Sequence, residues 1–228
     1  MGPRRPWWRV DDGLWRQLEP LLVDPPRRTR NPGRRRYPPR ACLEGVLYLL
    51  YTGLRYVDLP RELGFPSGET CRRRLHEWIE RGVWAQALAL LVAELDRRGR
   101  LDWSRVVVDA PFVDAKKGGD LVERSPVNRG FPSSKYHLAV ERNRWPLQVR
   151  LGPGNENERA HLLPLIDALR ATGYRPGEVW ADRGYCSDHL RKQLRRAGSR
   201  PRPVAAGAPV SRSRQDRQAA AAHAAGNQ

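Results

Sequence analysis

The stretch EVWADRGYCSDHLRKQLRRAGSRPRPVA, residues 178–205, alternates two kinds of local order within 28 residues. EVWAD (178–182) is a short run of strand-forming residues that ends in a carboxylate, Asp182. SDHLRKQLRRAG (187–198) has the marks of a helix, with Ser187 placed to cap it and Gly198 to stop it. PRPVA (201–205) then begins another strand, so the expected order is strand, helix, strand, with Asp182 at the first strand's exit.

Upstream, the same reading extends to residue 101. SRVVVD (104–109) is a β-branched run that also ends in a carboxylate, Asp109. SKYHLAVE (134–141) alternates, and PLQVRL (146–151) is its hairpin partner across RNRW. HLLPLIDALRATG (161–173) reads as a helix ending at Gly173, despite Pro164. Three strands followed by alternating helix and strand is the order of a ribonuclease-H-like sheet. The expected fold class is therefore α/β (α+β), with a mixed sheet over 101–205 flanked by helices.

Residues 1–100 have a different texture and are expected to form a helical domain. Asp11 to Leu22 sets Trp15, Leu18 and Leu22 at helical spacing, and ACLEGVLYLLYT (41–52) is a buried helix ending near Gly53. DLPRELG and SGETCRRRLHEWIERG (67–82) read as two helices around a glycine-bearing turn, a helix-turn-helix-like pattern. On the second of them, Leu75, Trp78 and Ile79 give an apolar stripe, while Arg72, Arg73 and Arg74 are consecutive and cannot all face a core. Val83 to Arg98 adds a further helix. Between the helices, PPRRTRNPGRRRYPPR (25–40) carries seven Arg, including Arg34, Arg35 and Arg36, among residues that forbid regular structure. It is read either as a solvated linker or as an arm along phosphates. Residues 206–228 are Ala- and Arg-rich without an apolar face and are expected to be disordered.

Charge narrows the partners. The net charge is +17, from 42 Lys+Arg against 25 Asp+Glu, and only four of the cations are Lys. Such a field attracts a polyanion and replaces its condensed counterions on contact, so nucleic acid is the expected partner and an acidic membrane surface the alternative. Three cysteines without metal or disulfide spacing indicate a reducing compartment. No stretch approaches the ~20 apolar residues of a membrane span, so the expected location is cytoplasmic and nucleoid-associated, with no membrane partner.

Asp109 and Asp182 end the strands that lie side by side in a ribonuclease-H-like sheet. A carboxylate pair there suits phosphodiester chemistry with Mg2+ or Mn2+, hard ions that prefer oxygen ligands. A strand-end Asp also commonly caps a turn, and Asp114 is the alternative to Asp109. Lys116, Lys117, Lys135 and His137 are candidate phosphate contacts, although a solvated face explains them almost as well.

VVVDAPFVDAKKGGD (106–120) resembles the first catalytic box of DDE transposases of the insertion sequence five type, and VWADRGYCSDHLRKQLRRAGSRPRPV (179–204) resembles their second. WRQLEPLL (15–22) and GLRYVDLPRELG-FPSGETCRRRLHEWIERGVW (53–84) are similar to their first domain, so the resemblance runs from about residue 11 to about 205. It implies that Asp109 and Asp182 are two members of a catalytic, metal-binding triad, with Gly184 and Tyr185 shaping the turn behind Asp182. It implies double-stranded DNA as substrate, the terminal inverted repeats and a target DNA, bound by a homodimer. The family's third carboxylate lies in a Tyr-Arg-x-x-x-x-x-Glu type motif. After Asp182 this sequence has no Glu, and its only acidic residues there are Asp188 and Asp216. The expectation is a C-terminally truncated or frameshifted copy, incomplete or inactive alone; the alternative is a non-catalytic DNA-binding regulator derived from a transposase. A nuclease acting on RNA–DNA hybrids and a basic nucleic-acid chaperone are the remaining readings.

Overall fold

Two compact units, 1–98 and 99–228, divide the chain. The structure, a computed structural model, describes residues 6–26, 29–31, 33–115, 118–125, 129–185 and 187–203. Lys116, Lys117 and the tail 206–228 lie outside the described residues.

The first unit is helical. α1 (Asp12–Leu18) is capped by Asp11, whose carboxylate accepts from Gly13 N at 2.8 Å, and Leu18 and Leu22 turn inward as their spacing predicts. α2 (Pro39–Thr52) begins with a proline, whose missing N–H costs nothing there, and ends at Gly53 with φ of 70°. α3 (Gly68–Glu80) is capped by Ser67 Oγ, and α4 (Val83–Arg97) follows. Trp78 is fully buried with Cys42, Cys71, Val46 and Leu49, and both thiols are free. Burial, and then Cys42, pushes the Cys71 thiol up to about 12.

The segment DLPRELG differs from expectation. It forms two 3-10 turns, Tyr56–Asp58 and Arg61–Leu63, and not a helix. Pro60 is the physical reason, because it drives the preceding Leu59 out of the helical region, to ψ of 120°. Leu59 is buried by this bend, and the helix that packs against α3 is therefore α2.

The second unit is a mixed sheet. Its strands are β1 (Arg105–Asp109), β2 (Phe112–Asp114), β3 (Glu123–Arg124), β4 (Pro132–Glu141), β5 (Pro146–Pro153), β6 (Glu178–Ala181) and β7 (Arg200–Pro203). β1 is antiparallel to β4 and parallel to β6, β6 is parallel to β7, and β5 is antiparallel to β4. The long strands thus run β5-β4-β1-β6-β7, the ribonuclease-H-like arrangement that the sequence order implies. Ala110 and Pro111 interrupt the path, and β2 resumes along the same edge of β4.

α5 (Arg159–Ala171) and α6 (Asp188–Arg196) cover one face of the sheet, burying Leu162, Leu165, Ile166, Leu190 and Leu194 against Val106, Val108, Val179 and Ala181. β4 turns an unusual set toward this interior: Ser133, Lys135, His137, Ala139 and Glu141 are all buried. Glu141 is satisfied there by the backbone N–H groups of Asp102 and Trp145, at 3.0 and 3.1 Å.

Candidate functional site

Two sites follow from the sequence, one in each unit. In the first unit a groove of about 450 Å³ is lined by Arg34, Arg35, Arg36, Tyr37, Thr70 and Arg73, with Arg74 and Glu77 at its base. Arg34, Arg35 and Arg73 are exposed, and Arg73 lies 3.6 Å from Glu69 on its own helix. Arg36 is exposed too, but it donates to both oxygens of Glu77 at 2.9 Å. Arg72 is held on its own helix by a two-pronged contact to Glu69, at 2.8 and 2.9 Å.

Arg74 corrects an expectation. It is 4% exposed and donates to Asp24 and to the Tyr37 carbonyl, the latter at 3.1 Å. The guanidinium holds the Asp24 carboxyl below its usual range. Of the three consecutive arginines, Arg74 is therefore the buried one, and it ties Asp24 and Tyr37 to α3.

In the second unit, Val108 of β1 is paired with Ala181 of β6, so Asp109 and Asp182 are the next residues of adjacent parallel strands. Both are exposed, at the same end of the sheet. Asp109 Oδ1 accepts from Ala110 N at 2.8 Å, and Asp182 Oδ1 from Tyr185 N at 3.3 Å. Asp114 is across from Ser133 on β2, which pairs with β4 and has no pairing with β6. The register therefore favours Asp109 over Asp114 as the neighbour of Asp182.

The turn behind Asp182 is pinned from α5. Arg159 Nε donates to Gly184 O at 2.8 Å. A side chain at Gly184 would meet Glu158 Oε2 at 2.8 Å and Asp182 Oδ1 at 3.0 Å. Tyr185, 3% exposed, has a hydroxyl with no hydrogen-bond partner. Burial first, then the charges of Glu158, Asp109 and Asp182, raise its pKa. Sequence reasoning did not single out Glu158, because no periodicity or spacing marks the residue before a helix as part of a remote strand-end site.

Lys135 is a second correction. It is 5% exposed, donates to Glu158 Oε1 at 3.0 Å and to Glu156 O at 3.1 Å, and lies 4.8 Å from the Phe112 ring centre. It is not on a solvated surface. His137 is likewise fully buried and stacks on His161 at 3.7 Å between ring centres. Burial, with His161 and Lys135 nearby, pushes His137 down to about 4.

Among the described residues, no three acidic, histidine or cysteine side chains already form a metal-binding group. The strand ends nevertheless suit a divalent cation in three respects: two exposed carboxylates, an orphaned phenol beside them, and a glycine cradle that a side chain would fill.

Two family models match the chain. Residues 10–88 match "Putative transposase of IS4/5 family", and residues 101–221 match "Transposase DDE domain". The chain belongs to the transposase DDE domain family.

Among curated relatives, the chain is 46% identical to the "Insertion element IS402 uncharacterized 16.2 kDa protein" of Burkholderia cepacia over 118 residues, 51% of this chain and 80% of that protein. It is 40% identical to "Putative transposase for insertion sequence element IS402" of the same organism over 98 residues, covering 40% of this chain and 46% of the relative. Among solved structures, the "Mos1 transposase paired-end complex with left transposon end" aligns over 81% of this chain and 63% of that one, at 16% identity and a TM-score of 0.34. No helix among the described residues is long and apolar enough to cross a membrane.

Proposed function

We propose that this DDE transposase chain binds the terminal inverted repeats of a bacterial insertion sequence and cuts DNA at them, with Asp109 and Asp182 holding the divalent cation. The observation that carries the reading is the adjacency of the two carboxylates at the ends of parallel β1 and β6. A helical unit with a basic groove and a sheet unit with paired carboxylates divide the work between binding and cleavage.

Arg34, Arg35 and Arg73 bind phosphate from the groove of the first unit, and this contact orients the duplex without reading its bases. Arg72 is compensated by its pairing with Glu69 and adds to the contact only where phosphate displaces that carboxylate. Asp109 and Asp182 hold Mg2+ or Mn2+, which would stabilise charge on the scissile phosphate and favour a deprotonated attacking oxygen. Asp182 is oriented for this by the Tyr185 N–H, and the turn that carries it is held by Arg159. The 3′ hydroxyl released by the first cut then attacks target DNA. A homodimer brings two element ends together, and the reaction runs in the cytoplasm at the nucleoid.

The test is a repeat-end duplex incubated with the chain and Mn2+. Nicking that Asp182→Asn abolishes supports the reading; nicking that Asp182→Asn leaves unchanged overturns it. The second reading, a regulator that binds the ends without cutting, rests on the basic groove of the first unit alone. It predicts a footprint at the repeats and no Mn2+-dependent nicking from the wild-type chain.

A further inference from the structure

We propose that Glu158, at the N-terminal end of α5, is a third carboxylate of the strand-end centre and a ligand for its divalent cation, with Lys135 as its counter-ion while the cation is absent. The inference rests on the reading of Asp109 and Asp182 as a cation-binding pair.

Geometry places Glu158 there. Its Oε2 and Asp182 Oδ1 lie 2.8 and 3.0 Å from one point, the position a Cβ would take on Gly184, so the two oxygens are at most 5.8 Å apart. A Cβ at that position would crowd both oxygens. Glu158 stands at the N-cap of α5 yet makes no side-chain cap, and its Oε1 accepts from Lys135 on β4 instead. The next residue, Arg159, ties α5 directly to the Asp182 turn through Gly184 O.

A second observation is independent of the acidic groups. The Tyr185 hydroxyl is buried and has no hydrogen-bond partner, although Glu158, Asp109 and Asp182 are the charges that act on it. A buried hydroxyl left without a partner costs roughly 1–3 kcal/mol. A divalent cation held by these carboxylates would bring oxygen ligands within reach of that hydroxyl.

Lys135 accounts for the present position of Glu158. Its ammonium, buried and 3.0 Å from Glu158 Oε1, occupies the role of a cation on that carboxylate. A divalent ion that takes Glu158 leaves Lys135 with the Glu156 carbonyl and the Phe112 ring, so neither group is stranded. The chain thus carries three carboxylates at this end without drawing on any Glu after Asp182.

The experiment titrates Mn2+ alone into the full chain and follows free Mn2+ by electron paramagnetic resonance. Four proteins are compared: wild type, Asp182→Asn, Glu158→Gln and Lys135→Met. Asp182→Asn is expected to abolish saturable binding, Glu158→Gln to weaken it roughly 10-fold or more, and Lys135→Met to tighten it several-fold. A purely structural Glu158–Lys135 pair predicts no such opposed signs. If Asp182→Asn abolishes binding and Glu158→Gln leaves it unchanged, the role of Glu158 is overturned and the Asp109–Asp182 reading stands. If Asp182→Asn has no effect, or the wild type binds no Mn2+, both fail. Should Glu158→Gln lose its fold by circular dichroism, Lys135→Met decides: tighter binding supports the inference, and unchanged or weaker binding overturns it.

Discussion

Asp109 and Asp182 stand one residue beyond the pair Val108–Ala181, at the ends of neighbouring parallel strands, although 73 positions separate them in sequence. If they form the cation site, each supplies a charge that the other does not replace. Asp109→Asn and Asp182→Asn are each expected to lower Mn2+-dependent cleavage by on the order of 100-fold. Binding to the repeat-end duplex, followed by fluorescence anisotropy, is expected to stay within about twofold, since neither residue belongs to the basic groove.

Arg73 and Arg74 are neighbours with opposite roles. Arg74→Ala leaves Asp24 only the longer contact with Arg36, at 3.3 Å, and is expected to cost about 2 kcal/mol in urea unfolding. Arg73→Ala leaves stability unchanged and reduces the slope of log affinity against log salt by about 1. Equal stability losses for the two variants would contradict this division.

Gly68 presses against the Tyr56 carbonyl oxygen, where an added Cβ would fall on that atom. Gly68→Ala must push α3 away from the first 3-10 turn and is expected to cost about 3 kcal/mol. Gly82→Ala is the contrast: its Cβ meets nothing within 4 Å, and the cost comes only from a φ of 66°. Thermal melting ranks the two.

His137 makes the second unit sensitive to acid. Lys135, His161 and Arg150 oppose its protonation and Glu156 favours it, with burial the largest effect, so the folded value falls from 6.5 to about 4. Between those values the unfolded chain binds a proton that the folded chain does not. The stability from neutral His137 is therefore complete above pH 6.5 and declines as pH falls toward 4, by up to about 1.4 kcal/mol per unit. His137→Gln is expected to flatten melting temperature against pH over that window; an unchanged slope would contradict the assignment.

The strand-ending carboxylates were legible because β-branched runs and turn residues are local signals, and Asp109 and Asp182 close such runs. Helix ends were legible at Ser67 and Gly53 for the same reason, since each acts on its own neighbours, whereas α2 begins at Pro39, inside the segment read as irregular. What the sequence hid was the direction in which long polar side chains point. Period-2 alternation in β4 marked a strand, yet the face carrying Lys135, His137 and Glu141 is the more buried one, and only the packing of α5 settles that. Arg74 was hidden similarly, since its partner Asp24 lies 50 residues away. Glu158 needed the meeting of α5 with the Asp182 turn, a contact that no local pattern encodes.

The proline pair in β7 has a consequence for how the molecule behaves in a crowd. Arg200 donates its N–H inward to Gly177 O at 2.9 Å, so by strand alternation the nitrogens of Pro201 and Pro203 face away from β6. Proline nitrogen carries no hydrogen, and that outer rim therefore offers a passing chain no N–H donor at either position. At those two positions an added strand would find acceptors but no donors, which weakens edge-to-edge pairing along this described rim of the sheet.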